Sequence, residues 1–163
     1  MPQEFNIDEI FRIAVDIEKN GEKYYRRAAE LAKDQDAKKL LTDLADWENG
    51  HIRIFSDLHA RIRDAGERDL TWDPYGEVEL YLQSVANSKV FTIDHDIAEF
   101  AEKQSSLEDV LEFALAREKD SVVFYTALDM ALPADLSGGK VNVIIKEEIS
   151  HIRLITEKLA ALG

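Results

Sequence analysis

The sequence has no cysteine, and only three prolines and seven glycines among its 163 residues. The lack of cysteine excludes a disulfide scaffold, an iron–sulfur cluster, a thiolate-ligated zinc site and a thiol nucleophile. So few prolines and glycines leave long helices uninterrupted. Positive charge is also scarce: 20 Lys+Arg stand against 33 Asp+Glu, a net charge of −13. That balance argues against a nucleic-acid binder, which needs a basic face to displace counterions, and against an anionic membrane surface. No apolar run approaches the ~20 residues of a membrane span. Residues 1–20 mix charged and apolar side chains throughout, unlike a signal peptide. The expectation is a soluble, cytoplasmic protein with neither nucleic acid nor membrane as a partner. At 45% hydrophobic and 33% charged residues, the composition fits a folded chain, and the length fits one domain over 1–163.

What the sequence does contain is helical periodicity. A first helix is expected at about 7–33, with Ile7, Phe11, Ala14, Gly21, Tyr25 and Ala28 on one face. Asn6 and Glu9 form a capping box at its start. A second helix runs over about 37–65 on Leu41, Leu44, Phe55, Leu58 and Ile62, and Gly66 stops it. A third runs over 105–131, opened by a Ser105/Glu108 capping box and ended before Pro133. A fourth follows Ser137-Gly138-Gly139 and covers 140–162. Residues 67–104 read as a crossover with small elements of its own, around Val78–Val85 and Ile97–Ala101. Two antiparallel hairpins joined this way make an all-α four-helix bundle. The crossover must be long, because a helix of this size spans ~40 Å.

The two hairpins repeat each other at an offset of 100. Ala14 matches Ala114, Glu18-Lys19 matches Glu118-Lys119, Tyr25 matches Tyr125, and Glu48 matches Glu148. His51-Ile52-Arg53 matches His151-Ile152-Arg153. Periodicity alone predicts recurring apolar positions, not identical polar ones. Moreover, Glu18, Glu48, His51, Glu118, Glu148 and His151 all fall inside the apolar stripes. Burying one uncompensated ion costs several kcal/mol, against a net stability of ~5–15 kcal/mol for a whole domain. Neither Lys nor Arg shares these stripes near the six residues. Two divalent cations would cancel the four carboxylates. Carboxylate and imidazole together suit iron, manganese or zinc. In each Glu-x-x-His the spacing puts an oxygen and a nitrogen on one helix face.

On these residues the sequence resembles the ferritin-like superfamily, and within it the rubrerythrin-type di-iron carboxylate proteins. The resemblance covers both hairpins; the crossover matches only in being long. It implies a ferritin-like bundle with Glu18, Glu48, His51, Glu118, Glu148 and His151 as ligands of two iron ions, Glu48 and Glu148 bridging. It implies an oxidoreductase acting on peroxide or dioxygen through those metals, with ferroxidase activity as a further option, in a homodimer or small homo-oligomer. Rubrerythrins carry another Glu one turn after the third-helix ligand, where this chain has Ser121, and a Cys-ligated rubredoxin domain. With no cysteine, electrons would come from a separate donor protein. Two other readings remain open: iron binding or storage without turnover, which as storage needs a hollow shell, and a metal-stabilised structural bundle.

Several neighbours of the six residues carry expectations of their own. Tyr25 and Tyr125 lie two turns beyond Glu18 and Glu118, within reach of ligand carboxylates. Gly21 and Ser121 either open space for an oxidant or allow close helix packing. Gly50 relieves crowding. Glu22 is a solvated surface residue rather than an extra ligand, His59 and His95 are surface histidines, and Trp47 packs between helices.

Overall fold

The computed structural model describes residues 7–66, 75–87 and 97–163. Among the described residues there are seven helices and no strands: α1 (Ile7–Leu31), α2 (Gln35–Ala65), α3 (Glu77–Asn87), α4 (Ile97–Glu102), α5 (Leu107–Ala131), α6 (Ala134–Ser137) and α7 (Lys140–Leu162). None of them is long and apolar enough to cross a membrane. The four long helices are those expected from periodicity. They pair as two hairpins, α1 against α2 and α5 against α7.

The helix ends differ from the expectation by a residue or two, and the reason is capping. The first helix stops at Leu31 and the second starts at Gln35, not at 33 and 37. Asp34 intervenes in extended conformation, and its Oδ1 accepts from the amides of Asp36 (2.9 Å) and Ala37 (3.0 Å). Those are amides a helix start leaves without partners. At α5 the cap is Ser106, whose Oγ accepts from the Asp109 amide at 3.1 Å, so the capping box expected from Ser105 and Glu108 is displaced by one residue. Asn6 lies outside the described residues. Gly66 ends α2 as expected, its amide bonded to the Arg63 carbonyl. The second hairpin turn holds the extra single-turn helix α6 after Pro133. Gly138 (φ 54°) and Gly139 (φ 73°) then reverse the chain through two successive left-handed residues, which side chains with a Cβ resist.

The interior is layered along the bundle axis. One apolar cluster, toward the start of α1, packs Ile10, Phe11, Ile17, Phe55, Phe124 and Ile144. The other packs Tyr24, Leu41, Leu44, Leu111, Ala114 and Ile155. Leu82 and Val85 of α3 complete the first cluster, and Ala101 of α4 joins the second. The described parts of the crossover therefore seal both ends, α3 against α5 and α4 against α1. Between the clusters every long helix puts polar side chains into the core.

Candidate metal centre

All six sequence-predicted residues meet in this middle layer, and all are buried: Glu18, Glu48, His51, Glu118, Glu148 and His151. Each helix contributes what its register dictates. On α1 and α5 the inward face carries one Glu between apolar turns; on α2 and α7 it carries Glu-x-x-His. The side chains form two overlapping groups. Glu18, Glu48, His51 and Glu148 make the first; Glu48, Glu118, Glu148 and His151 make the second. Within each group one potential ligand atom per residue lies within 4.8 Å of the others. Glu48 and Glu148 belong to both.

The electrostatics follow from burial. Desolvation, then the nearby Glu18 charge, pushes the Glu48 carboxyl well above its ordinary range. Burial and the Glu118 charge push Glu148 up to about 8. Glu118 goes the other way: burial opposes its charge, but hydrogen bonds with Glu148, His151 and Tyr25 outweigh that and hold it low. Burial also pulls both imidazoles down, yet their carboxylate partners win. His51, held by Glu148 and Glu18, is raised to about 11, and His151, held by Glu118 and Glu148, to about 9.

These contacts do not satisfy the whole layer. The Oε1 atoms of Glu48 and Glu148 are buried without a hydrogen bond. Glu148 Oε1 lies 2.9 Å from His51 Nδ1 but outside hydrogen-bond geometry, and Glu48 Oε1 is 3.6 Å from His151 Nδ1. Leaving a buried carboxylate oxygen unpaired costs about 1–3 kcal/mol or more. The orphaned oxygens belong to the two residues shared by both groups. A donor set of four carboxylates and two imidazoles fits a pair of divalent transition-metal ions.

The surrounding residues are cross-connected. Tyr25 on α1 donates its hydroxyl proton to Glu118 on α5, and Tyr125 on α5 donates to Glu18 on α1. Each tyrosine thus reaches the buried Glu, Glu118 or Glu18, of the opposite hairpin. Gly21 is a close-approach position: a Cβ there would stand 3.0 Å from Glu48 Oε2. The space beside it is filled by that carboxylate, so it is not an open channel for an oxidant. Ser121, its counterpart, is buried. Gly50 has nothing within 4 Å of an added Cβ, so it relieves no crowding. Glu22 stays outside both groups and pairs with Arg26 at 3.3 Å, as a surface residue would. His95 lies outside the described residues.

Three features go beyond the sequence reading. His59 is not a free surface histidine; its ring stacks on Phe11 (centroids 5.5 Å apart, 8° between planes) and its Nε2 meets Asp8. It sits on the flank of the α2 stripe, where a flat ring can cover the core edge. Trp47 packs between α2 and α7 as expected, but it is 40% exposed and its partner is His151, on which the indole stacks with centroids 4.9 Å apart at 18°. Glu147 places Oε2 2.7 Å from His51 Nε2. The usable signal for the last two was position: each immediately precedes a Glu of the Glu-x-x-His motif.

No protein-family profile and no curated protein matches the chain. Among solved structures, it is similar to a Thermotoga maritima protein whose crystal structure is described as that of a candidate ferritin-like diiron-carboxylate protein. The two share 26% identity at a TM-score of 0.71, over 96% of this chain and 95% of that one. The fold of this chain is ferritin-like, and the likeness supports a place for it in the ferritin-like superfamily.

Proposed function

We propose that this protein is a di-iron oxidoreductase of the rubrerythrin type, reducing peroxide or dioxygen with electrons from a separate donor protein. The observation that carries the reading is the pair of shared glutamates: Glu48 and Glu148 enter both ligand groups and each keeps a buried oxygen without a hydrogen bond. The description of the Thermotoga protein as a diiron-carboxylate protein supports the same reading. Glu18 and His51 would hold one iron, Glu118 and His151 the other, with Glu48 and Glu148 between them. Iron bound there supplies one-electron redox chemistry and a Lewis acid for the oxidant.

The chain's own residues do the rest. The apolar clusters on either side keep bulk water from the layer. Tyr25 and Tyr125 hold protons at Glu118 and Glu18; burial above all, then neighbouring carboxylate charge, keeps both hydroxyls protonated well beyond neutral pH. They orient the terminal carboxylates and leave the opposite oxygens available. Ferroxidase activity belongs to the same chemistry, with ferrous ion as substrate.

The test is spectroscopic. Protein loaded anaerobically with ferrous ion should change its near-ultraviolet absorbance on adding hydrogen peroxide or dioxygen. An iron-loaded protein that stays silent toward both would sink the enzymatic reading.

A further inference from the structure

The repeat at offset 100 breaks at a pair of positions whose side chains touch the two histidines. Residue 47 is Trp and residue 147 is Glu. Both sit on the helix just before the shared glutamate, and each reaches the histidine of the other hairpin. Glu147 accepts a hydrogen bond from His51 Nε2 at 2.7 Å, while Trp47 lies flat against the ring of His151. Among the described residues, the hydrogen-bond and ion-pair contacts of His151 all run through Nδ1. Two of them, to Glu48 and Glu118, are 3.6 Å long and the third, to Glu148, is 3.2 Å, against 2.9 and 3.2 Å for the contacts of His51 Nδ1 with Glu148 and Glu18.

We propose that the two halves of the site are inequivalent, the position at Glu18 and His51 binding a divalent cation at least about tenfold more tightly than the position at Glu118 and His151. The proposal rests on the metal reading above and adds an order of filling to it. Donation of Nε2–H to Glu147 fixes the His51 ring, commits its proton to Nε2 and leaves Nδ1 for the metal. An anionic acceptor also makes the imidazole a better donor. Loss of such a partner ordinarily weakens metal binding about 10–100-fold. The indole face gives His151 less: a stacked aromatic favours a ring carrying positive charge by about two- to fivefold at a partly exposed site. It neither selects a tautomer nor anchors Nε2. Trp47 is 40% exposed and the Glu147 side chain 48%, so both positions are open to substitution without emptying the core.

The full chain, stripped by chelator, is titrated with Co²⁺ by calorimetry and visible absorption. The wild type should bind two equivalents in two steps separated at least about tenfold. Glu147→Gln should weaken the tighter step about 10–100-fold and leave the weaker one in place. Trp47→Glu, which restores the repeat, should strengthen the weaker step. Two indistinguishable steps in the wild type overturn the proposal, as does Glu147→Gln lowering both steps alike. Circular dichroism checks each variant's fold. Should Glu147→Gln fail to fold, an unchanged weaker step in Trp47→Glu overturns the proposal by itself. A wild type that binds no Co²⁺ overturns the metal reading; equal steps overturn only the inequivalence.

Discussion

The two hairpins are built on one plan and finished differently. At the buried positions 18/118, 48/148, 51/151 and 25/125 they carry the same residues, and the contacts are reciprocal across the bundle. At neighbouring positions the identity ends: Gly21 corresponds to Ser121, one turn beyond Glu18 and Glu118, and Trp47 corresponds to Glu147, just before the shared glutamates. Inside the layer, any change on one hairpin exposes a carboxylate or imidazole of the other to an unpaired, desolvated state. At the part-exposed positions 47 and 147 a substitution strands no fully buried charge. The comparison separates what the site needs to exist from what sets the two halves apart.

The most severe way to break the symmetry is through the shared glutamates. Because Glu48 and Glu148 belong to both ligand groups, either Glu48→Ala or Glu148→Ala should reduce the metal content of both positions, and the double variant should retain almost none. Metal analysis of protein purified without chelator reads this directly. Two ions retained in the double variant would overturn the assignment of the site.

A smaller effect tests the protons that stand in for metal. In the stripped protein Glu148 is raised to about 8 by burial and the Glu118 charge. Burial opposes the histidine charges, but carboxylate partners raise His151 to about 9 and His51 to about 11. All three lie above their ordinary values of 4.5 and 6.5, so the folded state binds more protons than the unfolded chain. Their contribution is complete below those ordinary values and is lost as pH rises through the folded ones. The thermal midpoint of stripped protein should therefore fall between pH 6.5 and about 9, and His151 should lose its proton before His51. Metal-loaded protein should fall less, since ions compete with protons for the same atoms. A midpoint of stripped protein that climbs across this window would contradict the account.

The mildest test concerns Gly21. Replacing a mid-helix Gly by Ala ordinarily stabilises by about 0.5–1 kcal/mol. Here the new Cβ would stand 3.0 Å from Glu48 Oε2 and push that carboxylate aside. Gly21→Ala should leave the thermal midpoint unchanged or slightly higher while weakening Co²⁺ binding severalfold; Ser121→Ala should alter binding less. Equal binding by Gly21→Ala and wild type would show that Glu48 yields without consequence.

Most of this fold is legible in the sequence. Four long helices, their stripes and the crossover follow from spacing, since a 3.6-residue period states which side chains share a face. The ligand-type residues were legible because Glu and His inside an apolar stripe conflict with burial, and the repeat makes that conflict systematic. The helix starts were less so: Asp34 and Ser106 took caps that neighbouring residues could equally have offered, and the choice depends on backbone angles.

The sequence by itself therefore determined the bundle, the inward direction of the six polar side chains and the need for a counter-charge, all consequences of periodicity and desolvation. Only the tertiary structure decided who meets whom. That Tyr25 serves Glu118, that Glu48 fills the space at Gly21, and that Glu147 and Trp47 cover opposite histidines are contacts between different helices. They depend on how the helices cross and which rotamer each side chain takes, and no spacing along one helix encodes that.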